Sequence, residues 1–323
     1  NLRGSFLLTD YRGAATRSRT LSIKLEECGA GFKLKEVVPV IEGLAASDVE
    51  HGYDGNLYFA DYGGGWSVNK NGSVQVLRPV DEGSRKVGDK TARLVAAGFE
   101  DRSLSELSEL LNHDDQRVRQ FSQFALVNQG MEAISVFKKE LEDAESFSFA
   151  SLHSVWGLGQ LYRVGHTRVS PIILKALSSE HVEIRANAAR VVGDVSIPEA
   201  KKLLIEAMSD PSPRVKSLSA IALGRICRPG DKEAIQAILQ AAACNKGNDF
   251  DPTLRHAYLS GLVRIATPKI LSPLFRSDHF EQRLLALLVL RRLGDESLGA
   301  FLKDPDQTIR HEAIRAIYDT DAI

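Results

Sequence analysis

The feature that most constrains this chain is a segment that keeps returning. DPSPRVKSLSAIALG (210–224) starts with acidic and turn-forming residues. Val215, the base Lys216, the small residues Ser219 and Ala222 at helical spacing, and a closing Leu223-Gly224 follow. Variants of it are DDQRVRQFSQFAL (114–126), EHVEIRANAARVVG (180–193), DPTLRHAYLSGL (251–262), DHFEQRLLALLVL (278–290) and DPDQTIRHEAIRAI (304–317). One such segment cannot bury its own apolar stripe, so only stacked neighbours can close a core.

The recurrence interval of about 27–39 residues predicts paired amphipathic helices. First helices are expected near 103–112, 131–142, 168–178, 198–209, 231–243, 268–275 and 296–303, and second helices near 115–128, 147–163, 181–193, 213–227, 252–266, 279–293 and 306–318. The small residues Ala125, Ala188, Ala222 and Ala286 allow close helix approach, and Leu126, Val192, Leu223 and Leu290 fill the space between. Asp-Pro at 210–211, 251–252 and 304–305 belongs at the turns, where aspartate caps free amides and proline needs no intrahelical N–H. The pattern resembles HEAT repeats of the short, bacterial scaffold type, and the fold expected for 99–323 is an α-solenoid of about seven helix pairs.

Corresponding bases on the second helices are Arg119, Arg185, Lys216, Arg255, Arg283 and Arg310, with Ser151 in that position in the intervening repeat. Two roles are open to them. They line up as a ligand-binding ladder, or they pair with acidic turn residues of neighbouring repeats and fix the stacking register. Candidate partners are Asp114, Asp115, Asp210, Asp251, Asp278 and Asp304. Exposed pairs of that kind contribute about 0–1 kcal/mol each, so register rather than stability is the expected effect.

Residues 1–80 change character, to period-two alternation with glycine-rich turns. Strands are expected at 4–11, 20–27, 31–40, 47–52, 56–63 and 73–80, with turns at Gly29-Ala30-Gly31, Asp54-Gly55, Gly63-Gly64-Gly65 and Asn71-Gly72. The charged, glycine-containing stretch 81–98 reads as a linker running into the first helix.

SDVEHGYDGNLYFADYGGGW, with GSVQVLRP a strand later, resembles a β-propeller blade of soluble sugar dehydrogenases of the glucose/sorbosone type. The resemblance rests on Asp48-Val49, Tyr53-Asp54-Gly55 and Leu57-Tyr58-Phe59-Ala60-Asp61, with Tyr53 replacing the family's proline. The preceding LLTDYRGAATRSRTLSIKLEECGAGFKL and the later LHSVWGLGQ (152–160) are similar to stretches of one subgroup, the putative membrane-bound dehydrogenases of planctomycetes and verrucomicrobia. In that subgroup a propeller is followed by HEAT-like repeats and then a c-type cytochrome domain. The resemblance implies a partial propeller of about two blades over 1–80, a longer parent, and periplasmic, cell-surface or secreted location. The parent would oxidise a sugar or alcohol and pass electrons to haem c, with a quinone as a further cofactor. Asp10, Arg12, Asp48, Asp54 and Asp61 are the polar candidates near a propeller channel; the alternative is that Asp54-Gly55 makes a turn and that Asp10 and Asp61 hydrogen-bond to loop backbone.

His153 and Trp156 share one helical face, as a contact to a neighbouring domain or as core filler with a satisfied histidine. The cysteines Cys28, Cys227 and Cys244 form no CxxC or CxxCH, and HExxH, GxSxG, GxGxxG and phosphate-loop spacings are missing. No metal or cofactor is therefore expected in this chain itself. With 41 Lys+Arg against 42 Asp+Glu a general polyanion-binding surface is not indicated, and no apolar run approaches the ~18–20 residues of a membrane span. Two readings result: a fragment of a dehydrogenase-like protein whose solenoid serves as spacer or docking surface for adjacent domains or a protein partner, or a non-enzymatic interaction scaffold.

Overall fold

Alternating residues near the N-terminus form two separate sheets in the computed structural model, which describes residues 2, 4–63, 71–142, 147–247 and 250–319. Strands β1 (Phe6–Asp10), β2 (Arg19–Cys28) and β3 (Gly31–Glu42) form one sheet, and β4 (Ala46–His51), β5 (Leu57–Asp61) and β6 (Ser73–Leu77) the other. β1 and β2 run antiparallel with Phe6 opposite Ile23 and Asp10 opposite Arg19. β5 pairs antiparallel with both β4 and β6, and the β4 register shifts between Ala46 and Asp48. Gly29 and Gly55 supply the positive φ of 60° and 78° that their turns require. The expected turn residues Gly64 and Gly65 lie outside the described residues.

The chain divides into two compact units. The first comprises Asn1–Cys28, Phe32–Ser103 and His113–Phe121, and the second Gly29–Gly31, Leu104–Asn112 and Ser122–Ile323. In the first, Ala46, Leu57 and Phe59 form a small core with Leu2, Leu7, Ile41, Leu44 and Val49 against it. Residues 81–98, expected as a linker, contain the helix α1 (Glu82–Ala96), capped by the Asp81 carboxylate accepting from the Ser84 amide at 2.7 Å. Gly88 made that stretch look loose. Its reason is close approach, since a Cβ there would lie 2.0 Å from the Asp54 carbonyl oxygen.

The remaining helices are α2 (Leu104–Leu110), α3 (Gln116–Asn128), α4 (Ala133–Glu142), α5 (Phe149–Arg163), α6 (Ser170–Ala176), α7 (Val182–Val195) and α8 (Lys201–Ala207). After them come α9 (Pro213–Ile226), α10 (Lys232–Ala243), α11 (Pro252–Ile265), α12 (Pro268–Leu271), α13 (Phe280–Leu293) and α14 (Gln307–Tyr318). Together they make a HEAT-like helical solenoid. After α10 the first helices lose regular α geometry: α12 gives way to a 3-10 segment Ser272–Arg276, and Glu296–Lys303 is 3-10 throughout. Pro273 has no N–H to donate, so the ordinary α ladder cannot continue through it.

The second helices α5, α7, α9 and α11 stack through small residues. A Cβ on Gly159 would meet Val191 Cγ1 at 2.6 Å, one on Gly193 would meet Ala222 Cα at 2.9 Å, and one on Gly224 would meet Gly261 Cα at 2.7 Å. Ala188 and Ala222 are buried between them. Caps fix where α9, α10 and α11 begin: Ser212 accepts from the Val215 amide at 3.5 Å, Asp231 from Ala234 at 3.1 Å, and Asp251 from Thr253 and Leu254 at 2.8 and 3.2 Å.

Close backbone approach makes a direct prediction. Gly261→Ala would place a methyl 2.3 Å from the Ala220 carbonyl oxygen, whereas at Gly299 an added Cβ meets nothing within 4 Å. Urea unfolding should show Gly261→Ala destabilised by about 1–3 kcal/mol, with Gly299→Ala nearly neutral.

Candidate protein-docking face

Backbone carbonyls in the turn between the two helices of a repeat need donors. Here arginines of the second helices supply them. Nη1 of Arg119 donates to the His113 and Asp114 carbonyls at 2.6 and 3.0 Å, and that of Arg185 to Ser179 and Glu180 at 2.8 and 2.9 Å. Nη1 of Arg283 reaches the Ser277 carbonyl at 2.7 Å, and Nη1 of Arg310 those of Asp304 and Pro305 at 2.7 and 2.9 Å.

The other edge of the fork turns to a carboxylate of the following repeat. Nε and Nη2 of Arg185 donate to Asp210 at 2.8 and 3.2 Å, and those of Arg283 to Asp304 at 2.9 and 3.4 Å. Arg255 makes the same forked pair with Glu281 at 2.8 and 2.5 Å, its guanidinium lying 4.2 Å from the Phe250 ring centroid. Each turn aspartate also organises its own loop, Asp210 accepting from the Ser212 amide and Asp304 from the Asp306 amide, both at 2.8 Å. A bidentate fork with one edge on its own turn and the other on its neighbour's holds two repeats in one register.

Other expected partners are placed differently. Asp278 is replaced by Glu281, and Asp115 takes Arg117 at 2.7 Å. Asp251 caps α11 directly, where Ser212 and Asp306 do so two positions beyond the Asp-Pro aspartate. Lys216 makes no ion pair among the described residues.

A second polar row crosses α3, α5, α7 and α9. The Gln123 side-chain amide donates to Gln160 Oε1 at 2.9 Å, and its oxygen meets His153 Nδ1 at 2.7 Å. His153 and Trp156 stand edge to face, with centroids 5.0 Å apart. Trp156 Nε1 donates to Asn187 Oδ1 at 3.0 Å, Asn187 Nδ2 donates to the Glu183 carbonyl at 2.8 Å, and Glu183 pairs with Arg214 at 3.0 Å. Gln123, His153 and Asn187 are buried, while Trp156 is half-buried, its indole fixed by the amide beside it. Such a ring, apolar in body and anchored at its polar edge, suits protein contact.

Gln123, Gln160, Asn187 and Arg214 were not singled out by the sequence reading, though a signal exists for the first. Four positions after the recurring base, Gln123 stands where later repeats carry Ala189, Ala220, Leu259, Leu287 and Ile314. Two positions after it, Asn187 shares its column with Phe121, His153, Leu218, Ala257, Leu285 and Glu312, which mark no apolar rule for it to break.

In the first unit, Asp10 accepts from Arg12 at 2.9 Å and Arg19 at 3.2 Å; the Arg12 hydrogen bond leads in holding its carboxyl below the usual range. Asp48 accepts from the Val49 amide at 2.8 Å, and Asp61 from the Gly63 amide at 2.9 Å. Asp54 takes the Asn56 amide at 3.1 Å, the Asn56 side chain at 2.6 Å and the Tyr58 hydroxyl at 2.7 Å. Burial pushes the Asp54 pKa up, but those donors outweigh it and the net shift is downward. Among the described residues no hydrogen bond or ion pair joins these sites to one another.

Elsewhere, Lys201 sits between Asp231 and Glu233 at 2.8 Å each; the Asp231 hydrogen bond leads in raising its pKa. Burial pushes the Cys227 thiol up to about 11. Among the described residues no three His, Cys, Asp or Glu side chains are grouped to hold a metal, and no helix is long and apolar enough to cross a membrane.

Residues 170–249, spanning α6 to α10, match the HEAT repeats family. Similar solved structures include an engineered protein at 20% identity, covering 74% of this chain and 75% of that one with a TM-score of 0.37. The HEAT-like repeats protein of the archaeon Thermococcus onnurineus NA1 is 14% identical over 67% of this chain and 95% of its own, with a TM-score of 0.38. A chain of the Kap95p complex with RanGDP is 16% identical over 67% and 33%, with a TM-score of 0.41. No curated protein matches the chain significantly.

Side-chain exposure is only 10% for Arg283 and 1% for Asp304, so removing either partner strands a buried charge. Arg283→Ala and Asp304→Ala should each cost about 3–5 kcal/mol in urea unfolding, and Arg283→Met with Asp304→Leu should recover much of that loss. Arg190→Ala, which removes the exposed end of the Arg190–Asp194 pair, should leave the midpoint unchanged.

Proposed function

We propose that this chain is a non-enzymatic HEAT-repeat scaffold that binds a protein partner along its second helices. One observation carries the reading: side-chain contacts run from Gln123 on α3 through His153 and Trp156 on α5 and Asn187 and Glu183 on α7 to Arg214 on α9, so the second helices present a fixed row of side chains. Within that row Trp156 is the anchor, tied to Asn187 at 3.0 Å, with Leu152 and Leu218 half-buried on α5 and α9. Aromatic anchors of this kind dominate the energetics of protein interfaces. Balanced overall charge argues for a protein partner rather than nucleic acid.

A second reading is kept by the two antiparallel sheets. They are proposed as blades of a dehydrogenase-like β-propeller in a longer extracytoplasmic protein, with the solenoid as its spacer. Apolar side chains exposed on them, Phe6 and Leu8 on β1, Phe32 and Leu34 on β3, and Val74 and Val76 on β6, suit faces that adjoin further blades. Haem c does not fit the cysteines present: Cys28, Cys227 and Cys244 stand in no CxxCH, and burial keeps the Cys227 thiol protonated. In this reading haem and quinone chemistry belongs to other parts of the parent.

Photo-crosslinking residues placed at Leu152 or Leu218 of the full chain should capture a defined partner, and Trp156→Ala should abolish capture without loss of helicity. Capture only from Lys202 on α8 would contradict the second-helix face. The chain should show no sugar or alcohol oxidation with quinone or an artificial acceptor, and sustained turnover would overturn the scaffold reading.

A further inference from the structure

We propose that the exposed rows of α11 and α13 are a docking surface for an extended acidic segment of a partner protein, whose carboxylates, three residues apart, meet Arg264 and Arg292. The inference rests on the reading that the second helices bind a protein, and it names that protein's chemistry.

Counting along the second helices from the recurring base shows which positions are open. Eight positions after the base a helix meets its successor, as at Gly159, Gly193 and Gly224, whose added Cβ atoms would lie 2.6, 2.9 and 2.7 Å from Val191, Ala222 and Gly261. Those three partners stand six positions after their own bases. The positions five and nine after the base lie about one turn apart on another side of the helix. On α3, α5, α7, α9, α11, α13 and α14 none of them is buried.

The charge of these two rows differs from that of the chain. The whole sequence balances 41 Lys+Arg against 42 Asp+Glu. The rows carry Arg190, Arg225, Arg264, Arg292 and Arg315 against Asp194 and Asp319. Both aspartates are engaged, Asp194 by Arg190 and Arg225 and Asp319 by Arg291, and Arg315 pairs with Glu312 at 2.8 Å. Arg264 and Arg292, both exposed, have no ion pair among the described residues. Leu288, one turn before Arg292, and Ile221, one turn before Arg225, are half-buried, so apolar side chains border the arginines.

Spacing sets the form of the occupant. The forked pair of Arg255 with Glu281 ties α11 to α13, and the axes of packed helices lie about 8–10 Å apart. A polyproline II chain advances about 3.1 Å per residue with about three residues per turn, so every third side chain points the same way about 9 Å further on. Carboxylates at that interval can each accept a forked pair of bonds from one guanidinium. Two arginines among apolar side chains suit such a segment better than nucleic acid, whose duplex carries a charge about every 1.7 Å.

The probe is a fluorescently labelled peptide repeating Pro-Leu-Glu, titrated with the full chain at low ionic strength and followed by anisotropy. It should bind about tenfold more tightly than the same peptide with glutamine for glutamate. Arg264→Glu combined with Arg292→Glu should remove that preference and bind the lysine version of the peptide instead, with the urea midpoint unchanged. Equal binding of the glutamate and glutamine peptides, no binding of the glutamate peptide, or a preference untouched by the double variant would overturn the proposal. So would tighter binding of oligothymidylate that is lost with the same two arginines, because the surface would then be a nucleic-acid site. Crosslinked capture at Leu152 or Leu218 without glutamate-peptide binding would remove this assignment and leave the scaffold reading in place.

Discussion

Stacking in this protein depends on a guanidinium at the turn between two helices. The turn between the two helices of a repeat carries backbone carbonyls that need donors, and a planar fork with donors on two edges can serve them and still face outward. Arg185 and Arg283 use one edge for their own turn and the other for an aspartate of the next repeat. Side-chain size on the second helices is constrained as well: Gly193, Gly224 and Gly261 lie where backbones nearly touch, the last two at the α9–α11 contact, where Lys216 makes no ion pair among the described residues. Polar forks and tight packing thus divide the contacts of one stack between them.

Much of this was legible in the sequence because the period is long and the base recurs. Asp210 and Asp304 were identifiable as partners from their place before the second helix. Glu281 was not, because it lies inside the first turn of α13 while Asp278 looks like the turn acid. Asp251 misled for a geometric reason: it caps α11 directly, and the position equivalent to Asp210, counted back from Arg255, is Asp249, outside the described residues. The polar row through Gln123 and Asn187 stayed hidden because a single amide, in an apolar column at Gln123 and a mixed one at Asn187, reads as noise until its partners are known.

In the first unit, alternation located the strands well, but the linker reading of 81–98 mistook glycine for looseness. Gly88 permits helix α1 to approach the Asp54–Gly55 turn. The carboxylates Asp10, Asp48, Asp54 and Asp61 show why a polar site is hard to read from strands and turns. A carboxylate that caps a loop and one that faces a channel have the same residue type at the same spacing. Here each accepts local amide, hydroxyl or guanidinium donors.

The central claim is that buried arginine forks fix the register of the helical repeats. Side-chain nitrogen NMR of the guanidinium groups tests it most directly. Arg185 and Arg283 should give separate Nη resonances with rotation about Nε–Cζ slowed, in contrast to the exposed Arg190 and Arg264. Averaged resonances for all four would show that the forks do not hold the turns, and the account of the stack would fail.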